Sequence, residues 1–203
     1  MKVILLNGSP RKNWNTDLLL QEAARGAQSA GAETELIQLY DLNFKGCRSC
    51  MACNTDGSSW GHCAWNDDLK DVLRKIDQAD GLILGSPIYW GDVTREFLER
   101  FLFQYTNFDN GRSEFKGHLK AGFIYTMNAP AGMMTSLYQK YQQFLQSHVE
   151  YVGTLECAET LQVNDYTKVH LGFFDGEQRH KRREAVFPED MKKAFALGKK
   201  VTE

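Results

Sequence analysis

The sequence predicts an α/β fold in which a doubly wound parallel sheet of five strands carries helices on both faces. Short apolar segments of the buried-strand type alternate along the chain with segments whose apolar residues recur at helical spacing. Turn residues follow the first and the third apolar segment. The chain has 203 residues, of which 42% are hydrophobic, and this suits a single domain over residues 1–203. Strands that alternate with helices form parallel sheets with both faces covered.

The first half of the chain gives three strands and three helices. Strands are predicted at residues 3–6, 34–40 and 80–87, where apolar residues run together. Asn15 or Thr16 can cap a first helix, and Asp67-Asp68 begins a second helix. The third helix is predicted over residues 93–105.

The second half continues the alternation. A strand is predicted at residues 121–127, a long helix at 134–151 and a strand within 154–163. Residues 164–187 are polar and irregular, and we expect them to form an arm. The last helix is predicted over 188–200, because Pro188 suits the first turn of a helix.

Charge and hydropathy exclude several kinds of partner. The net charge of −2 gives no reason to expect binding to nucleic acid. No apolar run approaches the roughly 20 residues that cross a bilayer, so we expect no membrane span. The first residues lack a signal-peptide pattern, and a cytoplasmic location is expected. In that reducing compartment the five cysteines are not expected to form structural disulfides.

The loop after the first strand is typical of an anion site. A strand that ends in a polar loop and opens a helix brings free backbone N–H groups and the positive end of the helix dipole together. Short donors and two charges lie in this loop, namely Ser9, Arg11, Lys12, Asn15 and Thr16. The loop lacks both Gly-x-Gly-x-x-Gly and Gly-Lys-Ser/Thr, so a mononucleotide phosphate fits it better than NAD or ATP. The alternative is an ordinary first turn with a solvated basic pair.

The loop after the third strand carries aromatic residues. In Gly85-Ser86-Pro87-Ile88-Tyr89-Trp90-Gly91-Asp92, Pro87 and Gly91 bracket two aromatic side chains. Aromatic rings at the carboxyl end of a strand can flank a flat heterocycle, while backbone N–H groups reach its polar edge. The alternative is that these rings only cover the core.

Taken together, the two loops and the cysteine-rich segment between them resemble one family, the flavodoxin-like NAD(P)H-dependent FMN reductases with their iron–sulfur flavoprotein branch. The motifs are Gly8-Ser9-Pro10-Arg11-Lys12 with Asn15-Thr16, and Gly85-Ser86-Pro87-Ile88-Tyr89-Trp90. The resemblance covers about the first 130 residues well. It implies a flavodoxin-like sheet of order 2-1-3-4-5, FMN as cofactor, NAD(P)H as co-substrate and a homodimer or homotetramer.

The resemblance also implies roles for individual residues. It places the FMN phosphate at Ser9, Arg11, Lys12, Asn15 and Thr16. It places the ring and the ribityl chain along Pro87, Ile88, Tyr89, Trp90 and Gly91. The loop over residues 126–129, with Thr126 and Asn128, is expected to contact the ring from the other side.

Four cysteines follow the second strand, with the spacing Cys47-x2-Cys50-x2-Cys53-x9-Cys63. Thiolates from one loop can hold a [4Fe–4S] cluster, and the same four residues could hold zinc. Iron–sulfur flavoproteins have a shorter gap before the fourth cysteine, so free thiols packed beside the flavin are favoured here. Cys157 lies in a predicted strand and is expected to be a buried small side chain.

The predicted activity is that of an FMN-dependent oxidoreductase, which passes hydride from NAD(P)H to a small acceptor such as a quinone. In such enzymes the cofactor carries the chemistry, and the sequence indicates no catalytic side chain. Two alternatives remain open. One is an iron–sulfur flavoprotein-type electron carrier that receives electrons from a ferredoxin-like partner. The other is a non-enzymatic sensor that uses flavin and thiols.

Overall fold

The computed structural model describes residues 1–57 and 59–203. Strands β1 to β6 comprise Lys2–Asn7, Glu33–Gln38, Gly81–Tyr89, Asp92–Val93, Lys120–Thr126 and Glu150–Cys157. Helices α1 to α6 comprise Asn15–Ser29, Asp68–Asp77, Glu96–Tyr105, Thr135–Gln146, Gly176–Ala185 and Phe187–Lys200. Short 3-10 turns lie at Leu39–Asp41, Ala52–Asn54 and Tyr166–Lys168.

Five parallel strands form the sheet in the order β2-β1-β3-β5-β6. Leu5 of β1 lies between Leu36 of β2 and Ile83 of β3, and Leu84 of β3 pairs with Phe123 of β5. The strand order reverses at β1, so the crevice between β1 and β3 is the topological switch point, where ligands bind in such sheets. The flavodoxin-like fold expected from the sequence is therefore confirmed, and the short antiparallel strand β4 is an addition to it.

Each face of the sheet carries its own hydrophobic core, because successive side chains of a strand point to opposite faces. Val3 and Leu5 of β1 pack with helices α1 and α6. Ile4 and Leu6 pack on the other face, with helices α2, α3 and α4. Buried strands covered on both sides explain the continuous apolar runs in the sequence.

Helices α1 and α6 approach each other closely through two glycines. A Cβ atom on Gly26 would lie 2.0 Å from the carbonyl oxygen of Phe195, and one on Gly198 would lie 1.9 Å from that of Ala23. Any larger side chain at either position would therefore force the two backbones apart.

A tight hairpin at the end of β3 replaces most of the loop predicted over residues 85–92. Strand β3 continues to Tyr89, and Tyr89 pairs with Asp92 of β4. Trp90 and Gly91 form the two-residue turn, with φ angles of 50° and 84°. Positive φ at both central residues is typical of type I′ hairpin turns, which favour glycine. The turn leaves the Trp90 side chain fully exposed.

The predicted boundary between the long helix at 134–151 and the strand within 154–163 is wrong. Helix α4 ends at Gln146, and β6 already runs from Glu150 to Cys157. Apolar residues at 149 and 152 continue the helical spacing, but Val149 and Val152 pack into the sheet layers instead. After Cys157 the chain leaves the sheet, since Glu159 has a left-handed φ of 51°.

Two further local expectations need correction. Neither Asn15 nor Thr16 caps α1: both lie inside the helix, and the N-cap residue is Trp14. The segment 164–187, expected to be irregular, contains a 3-10 turn and helix α5. Asp175 stabilises the start of α5, because its Oδ1 accepts the N–H of Gln178 at 3.1 Å. Within the described ranges, no helix has both the length and the apolar character that a bilayer crossing requires.

Candidate functional site

A cleft of about 370 Å³ opens at the carboxyl ends of β1, β3 and β5. It gathers most of the residues singled out in the sequence, namely Ser9, Arg11, Asn15, Thr16, Pro87, Ile88, Tyr89, Trp90, Thr126 and Asn128. Lys12 and Gly91 are not among the lining residues. The loops that flank the switch point therefore meet in one space, as the topology requires.

One end of the cleft is an anion cradle at the start of α1. Ser9 is buried, its N–H donates to Asn7 Oδ1 at 2.9 Å, and its Oγ accepts the N–H of Arg11 at 3.2 Å. The first N–H groups of a helix have no acceptor within it. In the described chain the N-cap residue Trp14 supplies no side-chain acceptor for them either. These donors remain available to an anionic ligand.

The two basic residues of this loop have different roles. Arg11 lies on the cleft, where its Nη1 donates to the carbonyl of Gln162 at 2.7 Å and its guanidinium lies 4.2 Å from the ring centroid of Trp14. Lys12 lies outside the cleft, and its Nζ pairs with Asp41 Oδ2 at 2.6 Å. The structure therefore separates Lys12 from the group with which the resemblance placed it.

A buried network, which the sequence reasoning missed, fixes the loop. Asp17 Oδ1 accepts Nδ2 of Asn7 at 3.0 Å and Nε2 of Gln38 at 2.6 Å. Its Oδ2 accepts the N–H of Asn13 at 2.7 Å, and Asn13 has a left-handed φ of 55°. An acidic residue in the first turn of a helix is the signal that could have identified Asp17.

Asn15 and Thr16 line the cleft, but their side chains bind protein groups. The hydroxyls of Thr16 and Thr126 lie 2.7 Å apart and are buried. Asn15 donates from Nδ2 to the carbonyl of Leu161 at 2.9 Å and accepts Nη1 of Arg183 at 2.8 Å. These residues shape the cleft by joining its loops.

The other end of the cleft is aromatic. Tyr89 and Trp90 form one wall, and Phe174, which comes from the segment expected to be irregular, also lines the cleft. Burial raises the pKa of Tyr89, with neighbouring Tyr40 adding to the shift and Arg11 opposing it. The phenol is therefore neutral and able to donate near pH 7. Sequence reasoning missed Thr160, Gln162 and Phe174, because their segments carry no motif. It also missed Trp14, which lies within the first motif but is not one of its polar donors.

The cleft residues fit the phosphate ester of a flat heterocycle. Donors for a phosphate lie at one end and apolar rings at the other. Asn128 also lines the cleft, and its Oδ1 is a buried acceptor that finds no hydrogen-bond partner among the described residues. A buried oxygen of this kind suits a ring N–H of a ligand.

The four cysteines line a second cavity of about 30 Å³ together with Arg100 and Gln104. Arg100 is buried, and its Nη1 pairs with Asp67 Oδ2 at 2.5 Å. Nη1 also donates to the carbonyl of Lys45 at 3.4 Å. The segment before the cysteines is thus held close to the residues that follow them.

The cysteine cavity contains buried donors that lack acceptors. In the described part of the chain, Nε of Arg100 and Nε2 of Gln104 have no hydrogen-bond partner. The cysteines are free thiols, and burial raises the pKa of Cys53. Among residues 1–57 and 59–203, no group of three His, Cys, Asp or Glu could hold a single metal ion. Thiols and N–H donors are the groups that surround a [4Fe–4S] cluster, but this cavity has room for about one water molecule as it stands.

Comparison with known proteins identifies the family. The family model of NADPH-dependent FMN reductases matches residues 1–163. The chain belongs to this family. The resemblance seen in the sequence is therefore confirmed.

Curated relatives cover only part of the chain. An iron–sulfur flavoprotein of Methanocaldococcus jannaschii is 43% identical over 96 residues, which are 47% of this chain and 48% of the relative. One of Archaeoglobus fulgidus is 40% identical over 94 residues, or 46% of this chain and 44% of the relative. The chain spans about half the length of these curated relatives.

Solved structures of other proteins share the fold of this FMN reductase family member. An NAD(P)H:quinone oxidoreductase from Methanothermobacter marburgensis superposes with a TM-score of 0.72 at 16% identity and covers 98% of both chains. An archaeal flavodoxin gives a TM-score of 0.53 at 11% identity over the whole of both chains. At such low identity the likeness shows the fold alone.

Proposed function

We propose that the protein is an FMN-dependent oxidoreductase that takes a hydride from NAD(P)H and passes electrons to a small acceptor such as a quinone. One observation carries this proposal. An anion cradle and an aromatic wall, which come from loops far apart in the sequence, line the same cleft of about 370 Å³. Membership of the FMN reductase family supports the same reading.

The cleft residues divide the work of binding. Ser9, Arg11 and the first N–H groups of α1 hold the phosphate. Tyr89, Trp90 and Phe174 flank the ring and exclude water from it, while Asn128 accepts from its polar edge. When bound, FMN supplies a centre that accepts hydride and releases electrons. The protein orients the reactants and needs no acid or base of its own.

Comparison of FMN with riboflavin tests the phosphate cradle. Ser9→Ala and Arg11→Ala each remove a group facing a charged phosphate, and such hydrogen bonds contribute roughly 1.5–3 kcal/mol. We expect each variant to bind FMN about 10- to 100-fold more weakly in a fluorescence titration and to bind riboflavin as the wild type does. Lys12→Ala is the matched control, because Lys12 pairs with Asp41 outside the cleft, and it should leave both affinities unchanged. Equal losses for FMN and riboflavin would place the phosphate elsewhere.

We also propose that the protein works in the cytoplasm as a homodimer or homotetramer. Exposed aromatic side chains around the cleft, among them Tyr40, Tyr89 and Trp90, support an assembly that covers the cleft mouth. Light scattering coupled to gel filtration measures the mass of the particle. A monomer at micromolar concentration would contradict the proposal.

A second candidate function is electron transfer through a [4Fe–4S] cluster held by Cys47, Cys50, Cys53 and Cys63. The unsatisfied donors of Arg100 and Gln104 in the cysteine cavity favour it, as does the similarity to proteins named iron–sulfur flavoproteins. A bound cluster would supply one-electron transfer, and the two N–H donors would stabilise its negative charge. In this candidate the four cysteines hold a cluster, whereas the cysteine spacing favours free thiols.

Iron analysis after anaerobic purification separates the two candidates. About four irons and four sulfides per chain, lost in Cys50→Ser but kept in Cys157→Ser, would establish the electron carrier. Cys157 is the matched control, because it lies in β6 and bonds to Asp190 Oδ2 at 3.2 Å, away from the cysteine cavity. A wild type without iron, together with a Cys50→Ser variant that keeps its flavin and still oxidises NAD(P)H, would support the reductase with free thiols.

A further inference from the structure

The cleft extends beyond the part of the chain that the family match covers. The match ends at residue 163, yet Phe174 lines the cleft and helix α5 lies against the loops that form it. We propose that the arm, residues 164–187, is a structural part of the flavin site and that Arg179 and Arg183 are its positioning residues. This inference rests on the proposed function.

Arg179 joins the ends of two strands at the cleft. Its Nη2 donates to the carbonyl of Asn128, which follows β5, at 3.1 Å. Its Nη1 pairs with Glu159 Oε1, which follows β6, at 2.9 Å. Arg179 itself is 9% exposed, whereas the Glu159 side chain is 43% exposed. Arg179 thereby fixes the loop that presents the unsatisfied oxygen of Asn128 to the cleft.

Arg183 reaches a different loop of the cleft. Its Nη1 donates to Asn15 Oδ1 at 2.8 Å, and its guanidinium packs 3.7 Å from the ring centroid of Phe187. The amide of Asn15 in turn donates to the carbonyl of Leu161 at 2.9 Å. Arg183 thus connects α5 to the first turn of α1, where the phosphate cradle begins.

The two arginines act from one face of α5. Residues four positions apart in a helix project from the same side, so Arg179 and Arg183 reach the cleft loops together. Capping of α5 by Asp175 fixes where this face begins. A site whose loops are held before the ligand arrives loses less conformational entropy on binding. The arm therefore raises flavin affinity by holding the cleft loops in place.

The two arginines make different predictions, because they hold different loops of the cleft. Arg179 holds the loop of Asn128 beside the ring, so Arg179→Ala should weaken FMN and riboflavin alike, by about tenfold each. Arg183 holds Asn15 beside the phosphate cradle, so Arg183→Ala should weaken FMN about tenfold and riboflavin much less. General loosening of the fold would not produce this difference between the two ligands.

The experiment titrates the full-length protein and its variants with FMN and with riboflavin by calorimetry. Lys181→Ala is the matched control: Lys181 lies in the same helix, is exposed and pairs with Glu177 at 2.5 Å. It should bind both ligands as the wild type does. If Arg179→Ala and Arg183→Ala bind like Lys181→Ala, the arm has no positioning role. Titration of the wild type comes first, because a wild type that binds neither FMN nor riboflavin would contradict the proposed function and not the role of the arm.

Hydrogen exchange on the wild type provides a test that needs no variant. FMN should slow amide exchange in residues 176–185, because Arg179 and Arg183 join this helix to the loops of the cleft. Exchange in α5 that stays the same at saturating FMN, while residues 8–16 become protected, would overturn the coupling between the arm and the cleft.

Discussion

The hydroxyls of Thr16 and Thr126 link the start of α1 to the end of β5 at the floor of the cleft. They lie 2.7 Å apart, and both residues are almost completely buried. Each hydroxyl is therefore an obligatory partner of the other, since water has little access to either of them. A change at one residue leaves the other unsatisfied.

Thr126→Val tests this pair with almost no change in side-chain volume. The substitution should lower the free energy of unfolding by roughly 1–3 kcal/mol, because the buried hydroxyl of Thr16 loses its partner. Replacement of both threonines by valine should cost less than the sum of the two single changes, since no unsatisfied hydroxyl remains. Urea unfolding of the four proteins measures this cycle, and strictly additive losses would contradict it.

At the scale of elements, the close contact between α1 and α6 limits the size of the side chains that either helix can have there. Gly198→Ala would gain about 1 kcal/mol of helix propensity. It would also place a methyl group 1.9 Å from the carbonyl oxygen of Ala23, so the helices must separate. We expect a net loss of about 1–3 kcal/mol in urea unfolding, because overpacking against a backbone cannot relax by side-chain rotation. Lys199→Ala, an exposed change in the same helix, is the control, and equal stability of the two variants would argue against the close contact.

The end of α4 carries a pH-dependent contribution to stability. The imidazole of His148 is half-buried, with ring nitrogens 3.3 Å from Thr106 Oγ1 and 3.1 Å from Ser113 Oγ. Burial lowers the pKa of His148 below its ordinary value of 6.5. The unfolded chain then binds the proton more readily, so stability is full above pH 6.5 and falls as the pH drops below it.

Unfolding in urea at pH 7.5 and pH 5.5 measures this dependence. Wild-type protein should lose more unfolding free energy on acidification than His148→Gln, whose amide does not titrate in this range. The same loss in both proteins would assign the pH dependence to other groups.

The elements that the sequence predicted well have periodic apolar faces. Leu69, Val72, Leu73 and Ile76 mark α2, and these residues are buried. Helix α5, which the structure describes in full, has no such face, and Arg179 is its only buried residue. Its position follows from ion pairs and hydrogen bonds to remote loops, which no local pattern encodes. The same reasoning explains the error at β6, where packing into the sheet overrides helical spacing.

At the scale of the whole molecule, the cleft lies where both hydrophobic cores end. FMN bound there should stabilise the fold as a unit, because a ligand that binds only the native state adds RT ln(1 + [L]/Kd). At 100 times Kd this is about 2.7 kcal/mol, which corresponds to a rise in Tm of roughly 5–10 °C for a chain of this size. Differential scanning calorimetry measures the shift, with riboflavin as the comparison ligand. An unchanged Tm at saturating FMN would contradict binding at the switch point.

The sequence could predict the cleft because its loops follow apolar strands in a parallel sheet. It could not show which polar side chains remain free for a ligand. Asn15 is satisfied by Leu161 and Arg183, and both partners lie about 150 residues away or more. Lys12 likewise turns to Asp41 through an ion pair. Long-range pairings of this kind depend on the assembled fold.

The positions of the tryptophans give the protein an optical signal of its own. Two of its four indoles, Trp14 and Trp90, line the cleft from different loops, and Trp90 is fully exposed at the hairpin tip. A flavin absorbs light at the wavelengths that indoles emit, so its arrival between them should quench their emission by energy transfer. Trp90→Phe and Trp14→Phe would then report separately on the two loops as the cleft fills.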